Sequence, residues 1–235
     1  MTTLAIDTTE KRGSVALVRG HHCLAAVKHA WEVDYSAWLL PAVQEVLVGA
    51  GTRIEEVDLF AVATGPGSFT GLRVGLTTVK AWAEVYGKPI AGVSRLEAIA
   101  RSVATETALV AASYGAQRGQ LFCAIYRQGE GRIGGELVAG PEEFISLVER
   151  EASGQPVSWV CLDPALFQNT PTLQRRLEAG DHVVVCQDEL ASTIAILGEE
   201  QASQGRLSDS LELDANYVRR SDAEIFWKDT ASRVR

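Results

Sequence analysis

The chain has 235 residues, 46% of them hydrophobic, and 30 acidic against 22 basic side chains give it a net charge of −8. That length and apolar content suffice for one large or two small domains with a sizeable core, and an acidic chain without a dense Lys/Arg block is not expected to capture a nucleic-acid backbone unaided. No apolar run approaches a membrane span, and Met1-Thr2-Thr3 leads into Leu4-Ala5-Ile6 without a signal peptide's basic start, so a cytoplasmic protein is expected.

The pattern predicts strands over 3–7 and 14–18, joined by a polar turn, with a third strand over 23–31. A helix follows over 36–50, with Leu39, Leu40, Val43, Val46 and Leu47 on one apolar stripe; Pro41, close to its beginning, can delay the start. Next come a strand over 58–63, a glycine-rich loop, a helix ending at Tyr86, a strand over 90–93, and a helix over 94–104 capped by Ser94. The order is βββαβαβα.

A second lobe is expected from here, which divides the chain into 1–105 and 106–235. Its strands are predicted from 108 to 113, from 121 to 127 and around 136–139. Helices over 141–150, 164–177 and 189–203 then alternate with strands over 157–162 and 183–186, which argues for a largely parallel sheet. The tail over 213–229 carries Tyr217, Phe226 and Trp227 and is expected to dock on the fold.

The loop Gly65-Pro66-Gly67-Ser68-Phe69-Thr70-Gly71 joins strand to helix. Its glycines permit torsions closed to other residues, Pro66 fixes its own φ, and Ser68 or Thr70 can cap the helix. A dinucleotide fingerprint would need glycine where Thr70 stands, and no Gly-Lys-Ser/Thr phosphate loop occurs in the chain, so a packing turn is the commoner reading. The helix behind it offers two faces. Leu72, Leu76, Val79, Ala83 and Tyr86 form a core stripe, yet Gly71, Val74, Gly75, Thr78, Ala81, Trp82 and Val85 are also small or apolar. Such a helix is sandwiched or meets a partner, and Gly71, Gly75 and Thr78 form a shallow strip for close approach of another helix.

Cys23, Cys123, Cys161 and Cys186 are far apart in apolar contexts, as reduced core thiols are, and the four histidines form no metal-binding pair, so no metal ligand is assigned. Asp7, Thr8 and Thr9 close the first strand. A carboxylate with two hydroxyls there can hold Mg²⁺ and phosphate, or can simply bond the backbone of its own turn.

Leu4-Ala5-Ile6-Asp7-Thr8 with Ser14-Val15-Ala16-Leu17, the glycine loop through Leu72-Arg73, and Gly92-Val93-Ser94 together resemble the bacterial TsaB family, with a weaker match at Tyr217-Val218-Arg219. The resemblance implies an α/β fold of two ribonuclease H-like lobes in the actin-like ATPase (ASKHA) superfold, and a role in making threonylcarbamoyladenosine on tRNA. It further implies a scaffold subunit without catalytic residues of its own. Its partners would be a TsaD-like catalytic subunit, whose paired-histidine metal motif this chain lacks, and a TsaE-like ATPase; tRNA would be reached only through the complex. A homodimer is the alternative assembly. No cofactor would be held stably, with ATP or ADP entering only at the level of the complex. The partner interface would use Leu39, Val43 and Leu47 on the first helix and Thr70, Gly71, Val74, Gly75, Thr78, Ala81 and Trp82 on the second. A glycoprotease label travels with the family, but no nucleophile and base support it. The rival reading is an independent ATPase or phosphotransferase using Asp7 and Thr8. Three departures stand out: Tyr35 replaces a common histidine, Gly115-Ala116-Gln117 replaces Asp-Ala-Arg, and Ala215 replaces the proline of Pro-x-Tyr-x-Arg.

Overall fold

The structure, a computed structural model, describes residues 1–29, 32–167 and 170–219, so Trp31, Phe226 and Trp227 of the expected elements lie outside it. Strands β1 (Thr2–Asp7), β2 (Ser14–Arg19), β3 (His22–Lys28), β4 (Leu59–Gly65) and β5 (Ile90–Ser94) form one sheet in the order β3-β2-β1-β4-β5. Strands β6 (Leu109–Gly115), β7 (Leu121–Arg127), β8 (Gly131–Ala139), β9 (Val157–Cys161) and β10 (His182–Val185) form another in the order β10-β9-β6-β7-β8. The second sheet repeats the plan of the first.

In each sheet the first three strands pair antiparallel and the last two add on in parallel. The second sheet is therefore half antiparallel, which corrects the expectation of a largely parallel one. The reason is in the connections: β6, β7 and β8 are joined by short turns that reverse the chain, whereas a parallel partner needs a crossover, which the helices after β8 and β9 supply.

Helix α1 (Tyr35–Gly49) runs straight through Pro41, which does not delay its start. Pro41 and Ala37 both lie on the exposed side, where the Ala37 carbonyl that proline leaves unbonded meets water. Helix α2 (Phe69–Tyr86) is capped by Ser68, whose hydroxyl accepts from the Gly71 amide, and stops at Gly87 in the left-handed conformation. Helix α3 (Arg95–Arg101) is shorter than predicted. After α4 (Pro141–Ala152) the helix expected over 164–177 divides into a 3-10 turn, Pro164–Phe167, and α5 (Pro171–Glu178), because Thr170 is extended ahead of Pro171, which takes the first position of a new helix. Helix α6 is Ala191–Ser203.

Helices α1 and α2 cover one face of the first sheet, Val43 and Val79 joining Leu4, Ile6, Phe60 and Val62 in one core, and α4 and α5 cover the outer face of the second, Phe144 and Leu173 joining Trp159. Between the sheets the lobes exchange helices. Helix α3, which follows the first sheet in the chain, packs mainly on β6 and β7 of the second and also touches β4, β5 and β9, whereas α6, which follows the second, packs on β1, β2, β4 and β5 of the first. Gly198 lets α6 lie flat on the first sheet, since a Cβ there would be 3.1 Å from both Ala61 and Ala91. The two halves divided at residue 105 thus share one inner core, which contains Ala5, Ala61, Leu96, Val110, Val160 and Ile194.

Cys123, Cys161 and Cys186 are buried, and burial pushes the Cys123 and Cys161 thiols up to about 12, while Cys23 is exposed. None of the described residues forms a helix long and apolar enough to cross a membrane.

Because each lobe is roofed by a helix from the other half, the two should unfold together. Ile194→Ala in α6 should lower stability by about 2–5 kcal/mol while retaining a single transition, read by urea denaturation with circular dichroism and tryptophan fluorescence. Two separated transitions would contradict the shared core.

Candidate functional site

The end of β1 is polar and enclosed. Asp7, Thr8 and Thr9 are all buried. Oδ1 of Asp7 accepts from the Thr9 amide at 2.9 Å and the Thr9 hydroxyl at 2.6 Å, and Oδ2 accepts from Nε of Arg95 at 3.1 Å. Arg95 is 1% exposed and its guanidinium lies 4.7 Å from the centre of the Tyr114 ring. Burial opposes its charge, yet the Asp7 carboxylate holds its pKa above the ordinary arginine value. Burial likewise pushes the Tyr114 phenol up, and its hydroxyl donates to the Pro66 carbonyl. One ion pair therefore joins β1, α3, β6 and the glycine loop.

Sequence reading missed Arg95. The signal was present: a cation at the first position of a helix opposes the helix dipole, and in an otherwise apolar segment it needs a buried anion to balance it.

The glycine loop serves this turn. The Thr8 hydroxyl donates to the Gly71 carbonyl at 2.7 Å, and the Ser68 amide donates to the Thr9 carbonyl at 2.6 Å. A Cβ on Gly71 would overlap the Thr8 carbonyl, and one on Gly75 would come within 2.5 Å of the Thr8 hydroxyl. Gly71 and Gly75 thus face the lobe's own first strand, which corrects their assignment to an outward strip. The mechanism expected of small residues, close approach, is at work with a strand turn as the neighbour. Leu39 at 2% and Val43 at 4% exposure are likewise core residues of the first lobe, placed inward by the helical period that makes them a stripe.

The other expected interface residues lie outward or at the margin. Thr70 and Ala81 are exposed, and Leu47, Val74, Thr78 and Trp82 are half-buried. Leu40 at 58% and Val85 at 74% exposure extend this apolar margin.

Two cavities open between the lobes. One, of about 500 Å³, is lined by Lys11, Tyr35, Ser68, Phe69, Arg118 and Tyr217 among others. Tyr35, the residue in place of a histidine, stacks on His29 with ring centres 4.1 Å apart, and its hydroxyl donates to the Glu10 carbonyl. The Gly115-Ala116-Gln117 departure forms the β6–β7 turn, with Gln117 and Arg118 at positive φ, and Nη1 of Arg219 donates to the Ala116 carbonyl at 2.6 Å. The second, of about 460 Å³, is lined by Glu10, Arg12, Arg95, Asp163 and Asp188 among others. Burial raises the Glu10 pKa although Arg95 opposes the rise. Among the described residues no group of three or more His, Cys, Asp or Glu side chains is placed to hold a metal ion.

Residues 31–227 match the sequence model of the family described as TsaD, tRNA N6-adenosine threonylcarbamoyltransferase. The chain belongs to this family, in its TsaB/YeaZ branch. It is 27% identical to the tRNA threonylcarbamoyladenosine biosynthesis protein TsaB of Bacillus subtilis over 97% of this chain and 98% of that one. Its fold is that of YeaZ from Pseudomonas aeruginosa, at a TM-score of 0.74 and 22% identity over 92% of this chain and 99% of that chain. A ROK hexokinase from Thermus thermophilus shares the architecture at a TM-score of 0.50 and 14% identity, over 86% of this chain and 100% of that one. The two-lobed actin-like fold and the link to threonylcarbamoyladenosine biosynthesis both follow.

Gly75→Val should destabilise the isolated protein by about 1–3 kcal/mol through overpacking against Thr8, seen as a lower urea midpoint; an unchanged midpoint would return Gly75 to the outer face. Glu10 supplies a test by pH. Its carboxyl has a raised folded pKa, so its favourable contribution is complete below the unfolded value and is lost as pH rises through the folded one. Glu10→Gln should therefore melt higher than wild type at pH 7, with the difference shrinking toward pH 4, in thermal scans at both values.

Proposed function

We propose that the chain is a non-catalytic subunit that supports a TsaD-like transferase in making threonylcarbamoyladenosine on tRNA. The observation that carries the reading is the outer side of α1 and α2, where exposed Leu40 and Val85 continue the half-buried Leu47, Val74, Thr78 and Trp82. Contiguous apolar surface of this kind marks a protein interface, and a stable one buries roughly 800 Å² on each partner. The same face serves a homodimer when the partner is absent.

The state of Asp7 weighs against an independent ATPase or phosphotransferase. A Mg²⁺-phosphate site needs an open carboxylate, whereas both Asp7 oxygens are occupied by Thr9 and Arg95. A nucleotide does not fit these residues. We therefore assign Asp7, Thr8 and Thr9 a structural role and no stably held cofactor, with ATP or ADP acting only at the level of the complex, through a TsaE-like ATPase. The net charge of −8 leaves tRNA contact to a more basic partner. This work is cytoplasmic.

Ala81 is exposed on α2, so Ala81→Arg should leave the monomer's melting temperature unchanged while placing a charge in the interface. Binding to the TsaD-type subunit of the same organism should weaken roughly a hundredfold, about 3 kcal/mol, in titration calorimetry. Unchanged affinity would remove this face from the reading.

A further inference from the structure

The segment that follows α6 does more than cover a sheet edge. Ser208 bridges antiparallel to Ile90 on β5, its amide donating to the Ile90 carbonyl at 3.0 Å, and Leu213 packs where a side chain on Gly92 would stand. To this point it guards an edge strand. Beyond it the chain turns across the mouth of the cleft. The Asn216 amide donates to the Thr64 carbonyl of β4 at 2.7 Å, and the Asn216 carboxamide donates to the Glu136 carboxylate of β8. Tyr217 then packs on Phe69 of α2, ring centres 5.3 Å apart, and Arg219 reaches the Ala116 carbonyl of the second lobe.

Asn216 therefore holds one lobe with its backbone and the other with its side chain. Glu136 is the matching hub: its carboxylate is 2% exposed and also accepts from Ser94, the cap of α3, and from Arg132 at 2.8 Å. A buried carboxylate that loses one of its donors is left short of a partner it cannot replace with water. On the far side the lobes are joined by the exchanged helices α3 and α6, a packed hinge, and further polar ties between the two halves among the described residues include Tyr114 to Pro66, Ser94 to Glu136 and the exposed pairs Arg12–Asp188 at 3.1 Å and Lys28–Glu189.

We propose that residues 206–219 are a strap that fixes the angle between the lobes, with Asn216 and Glu136 as its buckle, and that releasing it opens the 500 Å³ cavity lined by Tyr217 and Arg219. The device belongs to the isolated chain and does not depend on what the chain assembles with.

The test uses the full chain with Cys23→Ser, to remove the exposed native thiol, and spin labels on Ala37→Cys in α1 and Glu130→Cys in the β7–β8 turn, both exposed positions. Pulsed electron resonance should give one narrow distance distribution. In Asn216→Ala it should broaden and move to longer distances, and amide exchange over 133–138 and 113–118 should quicken roughly two- to tenfold, the effect of one net hydrogen bond. Arg219→Ala, which removes only the outermost tie, should broaden the distribution less and leaves the test intact should Asn216→Ala fold poorly. A distribution as narrow as wild type in folded Asn216→Ala, or in Arg219→Ala where Asn216→Ala does not fold, would overturn the strap.

Discussion

Everything near the cleft depends on one buried ion pair, Asp7 with Arg95. Neither partner meets water, so each carries a desolvation cost of several kcal/mol that only the other, and the hydrogen bonds around them, can offset. Thr9 satisfies one oxygen, Arg95 the other, and the Tyr114 ring lies against the guanidinium. Losing either partner alone would strand a charge in the core at a cost of about 3–5 kcal/mol. The pair consequently fixes three things at once: the end of β1, the start of α3 and the approach of the second sheet through Tyr114.

The glycine loop is subordinate to that arrangement. Because Thr8 follows Asp7, the turn that presents the carboxylate to Arg95 must be held from the other side, and α2 holds it by laying its glycine face on the Thr8 backbone and hydroxyl. Small residues at positions 71 and 75 are thus required by the lobe itself. Val74, Thr78 and Ala81 lie to one side of that glycine face and are half-buried or exposed, so a substitution there changes surface more than core.

The exchange of α3 and α6 gives the scaffold reading a physical basis. Each sheet buries its inner face under a helix supplied by the other half, so the lobes behave as one packed body, and the strap over the cleft adds polar ties on the opposite side. A chain built this way presents a constant surface.

Periodicity, caps and prolines act over a few residues, so the strands, the glycine turn and most helices were legible in the chain, though not the short α3 or the break before Pro171; the βββαβα order and the resemblance at residues 4–8 and 65–73 were enough to place the family and the two-lobed fold. It also marked α2 as two-faced. It could not tell which face met what, since glycine is compatible with a partner helix and with a strand turn alike, and only the position of Thr8 decided for the turn. Nor could it pair Asp7 with Arg95, 88 residues apart, or Asn216 with Glu136, 80 residues apart. Such pairs are set by how the lobes stack, and charge pairing across long separations leaves no local pattern in a single chain. It took the packing of the chain to show that the carboxylate at the end of β1 is buried against Arg95: a buried charge takes its meaning from its partner, and the partner is chosen by the fold.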